Sequence, residues 1–253
     1  MAIERLWVGN SGRNYSYLVG CEATGEALAI DPHDAGQVLD AAAAKRWRIV
    51  QILNTHEHGD HTAGNAGVVA ATKATVLAHA RAARTVAIDR SVKQDDEVSV
   101  GKTIRLRVLE TPGHTPAHIC LVGEGTFFSG DTLFNAGVGN CHAGGDPNVL
   151  YETFASTIAA LPDDLRVYPG HDYLHRNLAF TLDREPGNRD AKAVLERTGN
   201  DEGARAPVFT LGDERFFNVF LRVQSPGVQH VLGLVSATPK DVFLALRRLR
   251  DRW

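Results

Sequence analysis

Thr55-His56-Glu57-His58-Gly59-Asp60-His61 places three imidazoles and an aspartate within six consecutive positions, His56 to His61. The apolar run Ile49–Leu53 leads into this segment through Asn54. It reads as a short buried strand that releases the chain at Thr55. In extended or turning backbone His56 and His58 project the same way, because side chains alternate with a period of two. A helical turn starting near Asp60 then aims Asp60 and His61 in a second direction, so one loop can feed two adjacent metal ions. For a single histidine the plain reading is a hydrogen-bonded core or surface residue. At this density of ligand types, metal binding is the better reading.

Three later segments share one design. Val108-Leu109 precedes Thr111-Pro112-Gly113-His114, Phe127-Phe128 precedes Ser129-Gly130-Asp131, and Val167-Tyr168 precedes Pro169-Gly170-His171. Each is an apolar strand, then a glycine, then a ligand-type side chain at the strand exit, where rigid sheets commonly mount functional groups. His56, His58 and His114 supply three nitrogens for one ion. Asp60, His61 and His171 supply a carboxylate and two nitrogens for a second, and Asp131 can bridge both. Two divalent ions ~3.5–4 Å apart with open positions form a hydrolytic site, in which a bridging hydroxide attacks a carbonyl. Asp60 and Asp131 are therefore the expected catalytic carboxylates, Asp60 also orienting the nucleophile. A structural zinc site would be closed and usually cysteine-rich. Zn, Fe and Mn all accept this donor set, so metal identity stays open.

The whole chain of 253 residues is consistent with an enzyme of ordinary globular composition, 43% hydrophobic and 23% charged. A net charge of -3 gives no reason to expect nucleic acid or an anionic membrane as partner. No apolar run is long enough to span a bilayer, and Glu4 and Arg5 interrupt the place where an export signal needs its apolar core. Three widely spaced cysteines, Cys21, Cys120 and Cys141, suit a reducing cytosol, so a cytoplasmic protein is expected. Strands are expected at Ile3–Val8, Tyr15–Val19, Ala27–Ile30, Thr75–Ala78, Ile104–Leu109, Ile119–Val122, Thr126–Phe128 and Leu165–Tyr168. Helices are expected from Asp34 to Arg46, Val149 to Leu161, Tyr173 to Leu182, Asp190 to Arg197 and Pro239 to Arg252. Strands alternating with helices, then helices alone, predict an α/β catalytic part at 1–171 and a helical substrate-binding region at 172–253.

With these residues in place, the chain resembles the metallo-β-lactamase superfamily, whose His-x-His-x-Asp-His signature is matched by His56, His58, Asp60 and His61. His114, Asp131 and His171 follow in the family's order. The resemblance implies an αββα sandwich with a dinuclear site at the edge between two sheets. Within the superfamily the chain is similar to glyoxalase II, the hydroxyacylglutathione hydrolases. The likeness runs through Thr55–Asn65, Ser129–Phe134, Gly170–Tyr173, Asn177–Phe180, Glu185–Asn188 and Asn218–Arg222. It implies hydrolysis of S-D-lactoylglutathione or another 2-hydroxyacylglutathione to the free acid and glutathione, with Tyr173 and Arg222 touching the tripeptide.

One loop departs from that family. Where a basic residue and an aromatic usually meet glutathione, this chain has Asn140 and His142 in Gly137-Val138-Gly139-Asn140-Cys141-His142. Each lost charged hydrogen bond is worth ~1.5–3 kcal/mol, so weaker recognition of a carboxylate-bearing carrier is expected. A second reading within the superfamily is a mononuclear-iron persulfide dioxygenase using His56, His114 and Asp131. A third is a metal-stabilised binding module, disfavoured by seven ligand-type residues on four loops. Elsewhere, His79 and His118 are expected in the core or behind the ligands, and His175 and His230 at the surface. Cys141 lacks an evident base, and the arginines of 247–252 are expected to spread around a solvated helix face.

Overall fold

The computed structural model describes residues 1–199 and 201–253. In chain order the first sheet contains β1 (Ala2–Trp7), β2 (Tyr15–Cys21), β3 (Glu26–Ile30), β4 (Arg48–Leu53), β5 (Thr75–His79) and β6 (Arg90–Val92), paired in that order. Its first two pairings are antiparallel and the rest parallel. The second sheet runs β13 (Arg166–Pro169), β10 (Thr126–Gly130), β9 (Ile119–Gly123), β8 (Ile104–Glu110), β7 (Glu97–Val100). Only its β10–β13 pairing is parallel. A small ribbon joins β11 (Leu133–Phe134) to β12 (Gly137–Val138).

Alternation along the strands makes two layers of core. Tyr17, Val19, Leu28, Ile30 and Leu53 meet Leu106, Val108, Leu121 and Phe128 between the sheets. Their neighbours Leu18, Ala29 and Ile52 turn outward onto helices α1 (Ala35–Ala44) and α3 (Asn65–Thr72) through Val38, Ala42 and Val68. Arg105 and Arg107 alternate with the buried residues of β8 and lie on its exposed side, as one half-buried strand requires. Asp34 caps α1 by accepting from the Gln37 N–H, as its position predicts.

On the other face, Leu109, Cys120, Phe127 and Val167 are covered by residues 147–158 and by the C-terminal helices. Those helices are α5 (Leu174–Arg184), α7 (Leu211–Phe217), α8 (Pro226–Val231) and α9 (Pro239–Arg250), while α6 (Arg189–Thr198) packs against α5 and α7. The result is helix, sheet, sheet, helix, the expected αββα order. The C-terminal helices share a core with the second sheet: Phe180, Leu211, Phe220, Phe243 and Leu246 all join the cluster containing Phe127.

The single helix expected from Val149 to Leu161 is instead α4 (Pro147–Glu152) passing into a π-helical segment, Thr153–Ile158. The Thr153 hydroxyl donates to the Pro112 carbonyl at 2.6 Å and the Ser156 hydroxyl to the Glu152 carbonyl at 2.6 Å. Ser156 thus competes for a carbonyl of its own helix, which loosens α-helical pairing, while Thr153 ties the segment to the loop after β8. Short elements such as α3, α7, α8 and the β11–β12 ribbon carry too few residues to show a period and do not stand out in the sequence.

Candidate metal centre

The C-terminal ends of β3, β4, β8, β10 and β13 open onto one rim between the sheets, and every predicted ligand leaves from it. His56 and His58 follow β4; Asp60 and His61 lie in α2 (Gly59–Thr62); His114, Asp131 and His171 follow β8, β10 and β13. Two glycines make the crowding feasible. A Cβ on Gly130 (φ +47°) would lie 2.7 Å from Thr55 Oγ1, and one on Gly170 would lie 2.3 Å from Asp131 Oδ1.

All seven predicted ligands come together. The donor atoms of His56, His58 and His114 lie within 4.8 Å of one another, as do those of Asp60, His61 and His171; a third set, His56, His61 and Asp131, joins them. Asp131 Oδ1 is 3.4 Å from His61 Nε2, and its Oδ2 is 3.2 Å from His171 Nε2 and 3.5 Å from His114 Nε2. One carboxylate therefore faces both groups.

The hydrogen bonds behind the ligands decide what this cluster can hold. Thr55 Oγ1 donates to Asp31 Oδ2 at 2.7 Å, so it accepts from His56 Nδ1 at 3.0 Å. His61 Nδ1 donates to the same Asp31 Oδ2 at 2.9 Å, His114 Nδ1 to the Asn140 carbonyl at 2.6 Å, and His171 Nδ1 to the Gly12 carbonyl at 2.6 Å. A neutral imidazole carries one N–H. In the neutral rings the Nε2 atoms of His56, His61, His114 and His171 are thus lone pairs, and they point inward. His61 and His171 bring theirs to 3.1 Å of each other, while His56 and His114 each bring one to 3.0 Å of His58 Nδ1. Asp131 Oδ1 and His58 Nε2 are buried without a hydrogen-bond partner. Lone pairs and an orphaned carboxylate oxygen converging at such distances repel unless positive charge lies between them, so the donor set fits cations.

Electrostatics point the same way. Burial, then the neighbouring charge of His61, holds His56 well below the usual imidazole range, so it stays neutral and able to ligate. Burial works against a charged His61, yet Asp131 and Asp31 outweigh it and push its pKa up to about 9, so without a metal His61 itself carries positive charge among the carboxylates, and a cation binding there displaces that proton. Burial also opposes ionisation of Asp131, and His171 and His61 overcome it, holding the carboxyl well below its usual range.

The sequence reading does not single out Asp31, although Ala29-Ile30-Asp31 repeats the strand-then-ligand pattern. Its carboxylate also accepts from the Thr55 N–H at 2.7 Å. Through Thr55 it sets the tautomer of His56 in one group, and directly that of His61 in the other. His118, expected behind the ligands, is buried there: its Nε2 accepts from the Asp131 N–H at 3.0 Å and its ring stacks on His56 at 5.0 Å. Asn14 Nδ2 donates to Asp60 Oδ2 at 3.0 Å. The Asp60 side chain is 41% exposed, whereas that of Asp131 is 7% exposed, so Asp60 is the carboxylate nearer solvent.

Beside the centre lies a cavity of about 250 Å³ lined by Phe134, Asn140, His142, Tyr173, Arg176 and Arg250 among others. Tyr173 stacks on His171 at 5.1 Å and links cavity to rim. Asn140, His142 and Tyr173 thus share one space. Arg222 does not: it lies against a separate surface cleft with Arg215 and Gln224, and its guanidinium makes two hydrogen bonds to Glu185, at 2.7 and 2.8 Å. The expected contact of Arg222 with the tripeptide is corrected accordingly. Its planar fork matches a carboxylate inside the chain.

Arg247 corrects a second expectation. It is 4% exposed, donates to the Val138 and Gly139 carbonyls and pairs with Asp251, so it anchors α9 to the β12 loop rather than facing solvent. His142 is exposed and lies 3.4 Å from Asp251. His79 is partly buried 3.3 Å from Glu110, and His230 is exposed. Burial pushes the Cys141 thiol up to about 11, which disables it as a nucleophile.

Comparison with known proteins gives two adjoining family matches. Residues 12–171 match the metallo-beta-lactamase superfamily, and residues 172–253 match the hydroxyacylglutathione hydrolase C-terminus. A hydroxyacylglutathione hydrolase of Polaromonas sp. strain JS666 is 52% identical, and one of Nitrosococcus oceani 49% identical, each alignment covering 100% of both chains. Among solved structures, ETHE1 from Myxococcus xanthus superposes with a TM-score of 0.69 at 26% identity, covering 99% of this chain and 98% of that one. A di-iron-bound form of TTHA1623 superposes at 0.62 with 24% identity, covering 86% of this chain and 100% of that one, a likeness of fold.

Proposed function

The chain belongs to the metallo-beta-lactamase superfamily and, within it, to the hydroxyacylglutathione hydrolases, and from that premise we propose how its residues divide the work. It is a metal-dependent thioester hydrolase that cleaves 2-hydroxyacylglutathione, S-D-lactoylglutathione being the substrate proposed, to the acid and glutathione. The persulfide dioxygenase alternative is set aside, because the match to the hydroxyacylglutathione hydrolase C-terminus takes in the whole helical region. The observation that carries the reading is the set of four inward-facing imidazole lone pairs beside the unpartnered oxygen of Asp131.

Two divalent ions are the cofactor. His56, His58 and His114 would hold one, Asp60, His61 and His171 would hold the other, and Asp131 would be available to both. When bound, the ions supply Lewis acidity and bring the pKa of water near neutrality. The chain's own residues do the rest. Asp31, Asn140 and Gly12 keep four imidazoles in the tautomer that ligates. Asp60, half-exposed and held by Asn14, is placed to accept the proton of the attacking water. A thiolate leaving group needs no general acid, in keeping with the neutral His56 and His118 around Asp131. Tyr173, Asn140 and His142 line the space for the carrier.

The proposed division is residues 1–171 for the metals and 172–253 for the carrier. The setting proposed is the reducing cytosol, since all three cysteines are free and Cys21 and Cys120 are buried. Among the described residues no helix is long and apolar enough to cross a membrane. The test is ultraviolet loss of the thioester band of S-D-lactoylglutathione, before and after chelation. Cleavage abolished by chelator and restored by divalent metal is expected; cleavage surviving complete metal removal would refute the reading.

A further inference from the structure

Between Asp131 and Asn140 the chain forms the β11–β12 ribbon, which meets the metal rim at three points. It begins two residues after Asp131 and ends two residues before Asn140, whose carbonyl accepts from His114 Nδ1. Between these ends the Phe134 ring stands edge-on to His171 at 5.6 Å and to Tyr173 at 5.3 Å. With two residues in each strand, the ribbon has no stability of its own. Its turn also keeps Ala136 at φ +57°, a left-handed conformation that a residue with a Cβ adopts only where its surroundings hold it.

The hold comes from the C-terminal helices, and Glu214 of α7 is its centre. Glu214 Oε1 accepts from Asn135 Nδ2 at 2.8 Å, and its Oε2 accepts from the Ala136 N–H at 2.8 Å and from Asn218 Nδ2 at 3.0 Å. Asn218 also donates to the Gly137 carbonyl at 3.2 Å, and Asn177 of α5 donates to the Asn135 carbonyl at 2.9 Å. Glu214 is fully buried and its hydrogen-bond partners are all neutral amides. Burial outweighs those bonds and pushes its pKa up to about 7. A carboxyl group here carries a desolvation cost that an apolar side chain of the same size would not. What it supplies in return is acceptors for the ribbon turn. We propose that Glu214 is a positioning residue for the metal centre: by fixing the turn it holds Asp131 and the Asn140 carbonyl, and through that carbonyl His114, where ligation needs them. This rests on the metal-centre part of the functional reading and is independent of which thioester is cleaved.

The test reads zinc affinity first and turnover second. Glu214→Leu fills the space but leaves the Asn135, Ala136 and Asn218 donors without their acceptor. Calorimetric titration of the metal-free variant with Zn2+ should show binding about 3- to 30-fold weaker than in the unaltered protein, the range for residues that act on a site through intermediates. With zinc saturating, kcat for S-D-lactoylglutathione should fall by a similar factor while KM stays within about threefold. Glu214→Gln should recover most of both, because its amide oxygen still serves Ala136 and Asn218 while the Asn135 amide turns over to accept from the new NH2 group. Arg222→Ala loosens the same helical region through Glu185 and makes no contact with the ribbon, so it is the control and should leave zinc affinity within about twofold. If Glu214→Leu does not fold, Asn135→Ala removes one of the three bonds and should weaken zinc binding about threefold. Zinc affinity and kcat within twofold of the unaltered protein, a loss matched by Arg222→Ala, or a Gln variant no better than Leu would each overturn the proposal. If the unaltered protein binds zinc but leaves the thioester intact, the hydrolase reading falls and the zinc affinities alone decide the role of Glu214.

Discussion

The metal rim and the carrier cavity adjoin one another yet are built on opposite plans. At the rim four of the five ligand histidines are fixed from behind: Asp31 serves His56 through Thr55 and His61 directly, Asn140 serves His114, and Gly12 serves His171. The unsatisfied atoms face inward, toward cations. In the cavity the polar lining is made instead of cations on helices, Arg176 reaching an oxygen of Trp253 at 3.3 Å and Arg250 reaching Asn177 Oδ1 at 3.1 Å. Geometry held to tenths of an ångström suits metal ligation. A few charged side chains on helices suffice for grip on a flexible carrier.

Substitutions that remove a ligand should break this contrast most severely. Asp131→Ala is expected to lose metal from both groups and to cut activity by more than about 100-fold, beyond the range of even an outer hydrogen-bond partner. Elemental analysis of the purified variant checks it; two tightly held ions would contradict the shared role of Asp131. Asp31→Asn touches no ion, but an amide cannot accept from Thr55 and His61 as the carboxylate does. Metal affinity should fall about 10- to 100-fold at both positions. A loss confined to one would deny that Asp31 couples them.

His118→Phe keeps a ring against His56 while leaving the Asp131 N–H buried and unpaired, a cost of about 1–3 kcal/mol. A urea titration of the metal-free protein measures that cost, and an unchanged midpoint would remove His118 as a support. Arg222→Ala sharpens the contrast from the other side. Glu185 then keeps only Ser225 and Asn188, so stability should fall by about 1–3 kcal/mol while KM for the glutathione thioester stays constant. Burial opposes ionisation of Glu185, but Arg222, Ser225 and Asn188 prevail and hold its pKa below the usual carboxylate range. A depressed carboxyl pKa contributes stability above the unfolded value and loses it as pH falls through the folded one. The gap between variant and unaltered protein should therefore narrow in acid, and a gap independent of pH would contradict the ion pair.

Legibility followed the same division. The seven ligands stand out in the sequence because each sits within a few residues of an apolar strand end, and because His56 to His61 are neighbours in the chain. Asp31 also follows an apolar strand but lacks the glycine that marks the other three exits, so it passes unnoticed even with His33 two residues on. The carrier cavity depends on which faces of α5 and α9 meet the second sheet, and helical phase alone does not tell. Arg247 and Arg248 are adjacent in a basic run, yet one is buried against the β12 loop and the other exposed. Arg222 misled for a related reason: the family-like Asn-x-Phe-Leu-Arg segment carries no sign that Glu185, 37 positions earlier, is its partner.

The central claim is that one rim holds two ions that act together. The decisive measurement is titration of metal-free protein with divalent metal while following both bound metal and S-D-lactoylglutathione cleavage. The account predicts saturation at two ions per chain, with full activity reached only as the second is taken up. Saturation at one ion with full activity would contradict it.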